Sequence, residues 1–517
     1  MKILMVTSEA VPYIKTGGLA DMVSALSLAL KKQGHDVRIV MPRYYSINKS
    51  KLKLEALKGP MGVPMGGGEA WCEVYTTPDD PSGQKPAGKK SPGKKPAVKD
   101  SAVKNPAGEN HVKTYFIDHE NFFGRDGIYG VPSEPDFLDN PRRFTFFCRA
   151  VFQLCKKIGW YPDVLHTHDW PSALVPVFLK FGERQGDFSK TVSVLTIHNL
   201  GYQGIYSKDN FYATGLGWDI FYNASFEDWN MMNLLKAGIC SADMINTVSS
   251  NYMEETKTTA YGFRLDGILK ERSKDYRGIL NGIDTEIWNP EKDPLIPAPY
   301  SIKDMNGKAK AKELLQRKFG LPPSPETPVI GLVSRLTGQK GVGELFGPAY
   351  GSAYPFCRDM NLQFIILGSG EAWCENEIRS LAGKLSNLKA QIGYDESFSH
   401  LIEAGSDFFL MPSRYEPCGL NQMYSLVYGT IPIVRKTGGL ADTVENFDQE
   451  TGGGTGFMFD DLTPQAIYNT VGWAIWAYYN RRPQIDAMRV RGMKKDFSWA
   501  RSAKEYLSLY KEALGKI

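Results

Sequence analysis

The sequence predicts an α/β protein of two open parallel-sheet domains facing each other across a cleft. Three observations carry this reading. Short continuous apolar runs, the pattern of strands buried on both faces, alternate with stretches of helical spacing along most of the 517 residues. The first forty residues form a complete strand–helix–strand unit, whose two strands must run parallel. The heptapeptide Lys-Thr-Gly-Gly-Leu-Ala-Asp occurs twice, from Lys15 to Asp21 and from Lys436 to Asp442, each time between an apolar run and a helix start.

Residues 2–7 (KILMVT) read as the first buried strand. A helix over Leu19 to Gln33 follows, with Leu19, Met22, Val23, Leu26 and Leu30 on one stripe and Gly34 as its stop. Asp36 to Val40 is the second strand, closed by Pro42. Further strands are expected at Lys113–Ile117, Asp163–Leu165 and Thr191–Ile197, with a helix over Thr145–Lys157. Ile279–Ile283 reads as the passage between domains. A second series begins at Val329–Val333 and continues through Leu362–Leu367, Ala390–Ile392, Asp407–Met411 and Ile431–Val434. Helices alternate with these, including Phe398–Ala404 and Asn421–Tyr428. The expected domains are residues 1–278 and 279–496, with a C-terminal segment, 497–517, whose helix (Trp499–Leu514) can cross back to the first.

The segment Pro81 to Asn110 breaks this alternation. It has five prolines, four glycines, no aromatic residue, and only Ala and Val as apolar members. Such a stretch cannot bury enough surface to offset its ordering entropy and is expected to be a disordered insert. Its seven lysines against Asp100 and Glu109 give it +5 of a chain total of +4, leaving the rest at −1. A near-neutral body argues against a nucleic-acid partner. The seven cysteines include no Cys-x-x-Cys pair, and no apolar run nears the roughly 18 residues of a membrane span. No signal peptide precedes the first strand, so a cytoplasmic protein without a membrane partner is expected.

Candidate chemistry clusters where such sheets bind ligands, beyond the carboxyl ends of their strands. A strand, a glycine pair and a helix start can cradle phosphate on backbone N–H groups, which nominates Lys15, Gly17 and Gly18 in one copy and Thr437, Gly438 and Gly439 in the other. Two copies point to two related halves facing one ligand. HTHDW ends a strand with His166, His168 and Asp169, and TIHNL ends another with His198 and Asn199. Arg335 and Lys340, after the strand Val329–Val333, are apt for a diphosphate. Glu416 stands between a strand and a helix. Cys418 lacks the companions of a catalytic cysteine and reads as a packing or contact residue. No Asp-x-Asp is present to chelate a metal diphosphate, and the dinucleotide Gly-x-Gly-x-x-Gly is absent after the first strand, so neither a metal nor a cofactor is expected.

Together, KTGGLADM, HTHDW, TIHNLGYQG, LKAGICSAD, ILNGID, VSRLTGQKG, QIGYDESFSH, RYEPCGLNQMYSLVYGTIPIVRKTGGLADTV and DFSW resemble the glycogen (starch) synthases of bacteria and plants. The resemblance covers nearly the whole chain except the lysine-rich insert. It implies a GT-B fold of two Rossmann-like domains, and transfer of glucose from ADP-glucose to the 4-hydroxyl of an α-1,4-glucan with retention of configuration. It also implies site roles. Lys15 matches the residue that meets donor phosphate, with Gly17 and Gly18 as its turn and Asp21 closing the motif. Asp169 and His198 match positions facing the transferred glucose, with Asn199 beside them. Asn281 matches a contact to the donor sugar, and Arg335 and Lys340 match the pair that neutralises the leaving diphosphate. Glu416 matches the carboxylate beside the donor sugar, followed by Cys418, Gly419 and Leu420, and Tyr394 lies in the stretch near the base. The second Glu that many retaining transferases carry eight residues later is Tyr424 here. The rival readings are a sugar-nucleotide epimerase and an inactive glucan-binding homologue.

Overall fold

The computed structural model describes residues 1–78 and 111–517. The insert expected over 81–110 lies outside the described residues. The chain divides into two compact units. One comprises Met1–Asn246, Gly262–Arg277 and Ala503–Ile517, the other Thr247–Tyr261 and Gly278–Ser502. Thr247–Tyr261 therefore sits with the second unit, although a boundary at residue 278 assigns it to the first.

In the first unit, β1 (Lys2–Val6) is buried at Ile3 to Val6 and leads to helix α1 (Gly18–Lys32). The helix buries the stripe of Leu19, Met22, Val23, Leu26 and Leu30. The parallel core continues with β2 (Asp36–Pro42), β3 (Lys113–Asp118), β4 (Val164–His168), β5 (Val192–Ile197) and β6 (Met244–Thr247). Their order across the sheet is β3-β2-β1-β4-β5-β6, and the pairs from β3 to β5 are all parallel. Sequence periodicity missed an antiparallel hairpin, Met61–Met65 with Gly68–Thr76, whose second strand extends the β3 edge. Its Gly, Pro and exposed Trp71 dilute the alternation that marks a strand.

The second unit repeats the plan. Its strands are β7 (Val329–Leu336), β8 (Gln363–Gly370), β9 (Leu388–Ile392), β10 (Phe408–Met411), β11 (Ile431–Arg435) and β12 (Phe457–Phe459). They lie in the order β9-β8-β7-β10-β11-β12, all parallel. Each sheet thus reverses direction once, between β1 and β4 in the first and between β7 and β10 in the second. Ligands bind at such a switch, because neighbouring loops diverge there and leave a crevice. Three helices of this unit recur below: α2 (Ser250–Thr256), α3 (Asn421–Val427) and α4 (Gly438–Thr443).

The heptapeptide does not mark equivalent places in the two halves. Its first copy follows β1, the first strand of its sheet, and its second follows β11, the fifth of its own. The halves are alike in strand order, not through this repeat.

The last helix, α5 (Trp499–Leu514), starts in the second unit and runs into the first. There Tyr510 Oη lies 2.8 Å from Nδ1 of His166, a fully buried residue of β4. His166 Nε2 is 2.6 Å from Thr196 Oγ1, which donates to Asn246 Oδ1 at 2.7 Å. The hydroxyl proton of Thr196 is thereby used, so His166 carries its proton on Nε2 and accepts from Tyr510 on Nδ1. His166 is a satisfied structural residue. Tyr510→Phe strands this buried acceptor and should cost about 1–3 kcal/mol, seen as a lower urea-unfolding midpoint; an unchanged midpoint would contradict the docking role of the hydroxyl.

Candidate active site

At the switch of the second sheet lies a cavity of about 180 Å³. The end of β7 supplies Leu332 to Arg335, the turn after it Lys340 and Val342, the end of β10 Leu410 to Ser413, and the start of α3 Asn421. β7 runs three residues further than its apolar run, so Arg335 lies within the strand and not after it. Arg335 is exposed and makes no ion pair among the described residues. Lys340 reaches 2.5 Å to Glu416 Oε2, which also accepts from Ser413 Oγ at 2.8 Å. Glu416 is only 6% exposed and is not among the cavity's lining residues. Its carboxylate stands behind Lys340 and Ser413 and fixes both.

The loops around this cavity are pinned to each other. Gly338 N donates to Glu371 Oε1 at 2.8 Å, Arg414 N to Gln339 O at 2.8 Å, and Gln339 Nε2 to Tyr415 O at 3.3 Å. Gly341 takes φ +72°, and a Cβ there would meet Pro412 O at 1.9 Å, so only glycine lets the Lys340 turn lie against the β10 loop. Asn281 is 6% exposed, and its side-chain oxygen has no hydrogen-bond partner. Tyr394, beyond the end of β9, is 78% exposed.

The second heptapeptide is not an open cradle. Thr437 Oγ1 and Gly438 N both donate to Glu255 Oε1 at 2.9 Å, and Gly439 N donates to the Glu416 carbonyl at 3.0 Å. The three residues expected to meet phosphate have their donors engaged inside the protein. Cys418 is a packing residue. Its side chain packs with Val248, Ile283, Met423, Leu426 and Phe497, where burial pushes the thiol up to about 12. Leu420 lies against the same cluster, and Gly419 takes φ +71° just before α3.

In the first unit the corresponding switch brings together the loops after β1 and β4. Glu9, 3% exposed, accepts from Thr16 Oγ1 at 2.9 Å, from Thr16 N and from Tyr129 Oη at 3.0 Å. The first heptapeptide therefore also holds an internal carboxylate, just before Gly17 and Gly18 open α1. Lys15, half exposed, pairs with Asp21 at 2.6 Å. Asp169 adopts φ +54°, a left-handed conformation that is strained for a side-chain-bearing residue and typical of functional sites. Its Oδ1 accepts from His198 N at 2.7 Å and lies 3.5 Å from Asn199 N. Asn199 Oδ1 in turn accepts from Gly201 N. His198 Nε2 is 3.2 Å from His168 Nδ1, and burial lowers His198 to about 3, with His168 also well below the usual range. These imidazoles are neutral at pH 7 and act as hydrogen-bonding groups, not cations.

Sequence reasoning missed Glu9, Glu255, Ser413 and Asn421. Glu9 carried a signal, being an acidic residue between a buried strand and a glycine turn. Glu255 carried none, because its partners are more than 180 residues away. Among the described residues, no group of three or more His, Cys, Asp or Glu side chains is placed to hold a metal ion, and no helix is long and apolar enough to cross a membrane.

Residues 2–271 match the starch synthase catalytic domain family and residues 316–479 the family of glycosyl transferases group 1. The chain is 54% identical to a glycogen synthase of Treponema denticola, over 100% of this chain and 99% of that one. The chain belongs to the glycogen synthase family. It is also 42% identical to glycogen synthase 1 of Geobacter metallireducens, over 100% of this chain and 97% of that protein. The catalytic domain of starch synthase IV from Arabidopsis thaliana, solved with ADP and acarbose, is 29% identical, has a TM-score of 0.84, and is covered to 99% on both sides. As in that family, the fold is GT-B, and the chain is a glycosyltransferase.

Burial raises the Asp169 carboxyl to about 7, whereas an unfolded aspartate ionises near 4. Folding favours its protonated form, so this group's contribution to stability is complete below about pH 4 and is lost as pH rises through about 7. Asp169→Asn keeps an acceptor for His198 N and should flatten the fall in melting temperature between about pH 5 and about pH 8. Parallel falls in the two proteins would count against a protonated Asp169.

Proposed function

We propose that the chain transfers glucose from ADP-glucose to the non-reducing 4-hydroxyl of an α-1,4-glucan, with retention of configuration. One observation carries the reading at the level of chemistry: a cavity at the switch of the second sheet offers two cations, Arg335 and Lys340, to an anionic ligand. A nucleotide diphosphate held there becomes a leaving group when its charge is met at the moment the glycosidic bond breaks. Donors fixed before the reaction do this without reorganisation. Glu416 supplies the fixing for Lys340, and Ser413 adds a hydroxyl beside it. The unpartnered Asn281 oxygen is an acceptor suited to a sugar hydroxyl.

Hydrolases that retain configuration use two carboxylates about 5 Å apart, one of them a nucleophile. The cavity lining contains no Asp or Glu, and the aromatic ring of Tyr424 stacks on Trp288 at 3.7 Å. This supports a front-face displacement, in which the acceptor oxygen attacks as the diphosphate departs and the leaving phosphate oxygen takes its proton. Asp169, His198 and Asn199 would hydrogen-bond the transferred glucose, and Lys15 would meet donor phosphate once Asp21 releases it. The neutral state of His198 suits a group that orients hydroxyls. The reaction is assigned to the cytoplasm, where the seven cysteines, none in a disulfide, stay reduced.

Lys340→Ala should lower kcat by about two orders of magnitude, the scale of losing one oxyanion-type donor; a near-normal rate would refute the assignment. Comparison of kcat/KM for ADP-glucose and UDP-glucose, each with glycogen, tests the donor. Preference for the adenine nucleotide is expected, and equal or reversed preference overturns it. Turnover of the donor without glycogen would favour an epimerase.

A further inference from the structure

Glu255 comes from the first half of the sequence but belongs to the second unit. It lies on α2, part of the short excursion Thr247–Tyr261. That excursion grips the loop carrying Glu416, directly and through the second heptapeptide. Ser249 Oγ donates to the Pro417 carbonyl at 2.6 Å. Asn251 N donates to Asp442 Oδ2 at 2.9 Å, and Tyr261 Oη accepts from Arg435 Nη2 at 3.1 Å. Glu255 Oε1 takes Thr437 Oγ1, Gly438 N and its neighbour Asn251 Nδ2, each at 2.9 Å.

The turn held by Glu255 bears in turn on the site loop. Gly438, at φ +45°, lies so near the Glu416 carbonyl that a Cβ would fall 1.9 Å from it, and a Cβ on Gly439 would fall 1.9 Å from the Cys418 carbonyl. Three carbonyls in this stretch are fixed from outside it: Arg414 O by Arg435, Glu416 O by Gly439 N and Pro417 O by Ser249. The Glu416 side chain that leaves this main chain sets the direction of Lys340.

We infer that Glu255 is a positioning residue for glucosyl transfer, acting through the Thr437–Gly439 turn on Glu416 and so on Lys340. The inference rests on the assignment of Lys340 and Glu416 to the donor site. A misplacement on the order of 1 Å, made far from the chemistry, can slow a reaction by about a hundredfold. A carboxylate that merely stabilised the fold would change the melting temperature and leave turnover at saturating substrate intact.

The test compares kcat and KM of the full chain, with glycogen as acceptor, for Glu255→Leu, Glu255→Gln, Ser249→Ala and Glu416→Gln. Glu255→Leu should lower kcat by about tenfold or more with donor KM changed less than about threefold. Glu255→Gln keeps an accepting oxygen and should stay within about threefold of the parent. Ser249→Ala removes the bond to Pro417 together with the cap of α2, where Ser249 Oγ accepts from Tyr252 N at 3.2 Å; it should lower kcat by about threefold, which keeps the inference testable if Glu255→Leu does not fold. Combining Glu255→Leu with Glu416→Gln should add little to the loss from Glu416→Gln alone, since both act on one group. Parental kcat in folded Glu255→Leu, or in Ser249→Ala where the former does not fold, overturns the inference. Parental kcat in Glu416→Gln overturns the underlying assignment instead.

Discussion

The second unit depends on a close approach of main chain to main chain. Gly438 and Gly439 press against the carbonyls of Glu416 and Cys418 at a separation that excludes any side chain. The approach fixes where the Glu416 carboxylate emerges, and with it the reach of Lys340. Gly341 makes an equivalent contact on the other side of the cavity, against Pro412. Lys340 thus stands on a turn held by backbone contact, while Arg335 stands on the strand β7 itself. Stiffness is what electrostatic catalysis requires, because a donor that must reorganise spends its advantage before the barrier is reached.

The same economy appears in the two heptapeptides. In each, the threonine hydroxyl and a backbone N–H capture a carboxylate from elsewhere in the same unit, Glu9 in one and Glu255 in the other. A glycine turn at a helix start attracts an anion through its unpaired N–H groups. Here the protein supplies that anion itself. The motif builds a rigid corner at two unrelated places of the fold, one after the first strand of a sheet and one after the fifth.

Much of this was legible in the sequence. Strands buried on both faces are mainly apolar, so β1, β5, β7 and β10 stand out as runs, and the stripe of α1 follows helical period. The residues gathered at the two switch points, such as Asp169 with His198 and Lys340 with Glu416, lie at strand ends that pattern alone could locate. Three things were hidden. The hairpin of Met61–Met65 and Gly68–Thr76 has mixed polarity and two glycines at its turn. The strain at Asp169 depends on backbone angles that composition does not encode. The excursion Thr247–Tyr261 is set by tertiary pairing, since its partners Pro417, Thr437 and Asp442 lie more than 160 residues on. Repetition of a motif pointed to equivalent halves; strand order shows that the equivalence lies elsewhere.

The tie between Tyr510 and His166 spans 344 residues and closes the first unit with a helix made after the whole second unit. During synthesis the ribosome delivers β4 some tens of seconds before the segment that satisfies its buried histidine, at translation speeds of about 5–20 residues per second. Until Ala503–Ile517 emerges, the face of β4 around His166 must wait unfinished, exposed to whatever else is nearby. The first unit is therefore not an independent folding module that matures early. Its completion waits for the segment Ala503–Ile517.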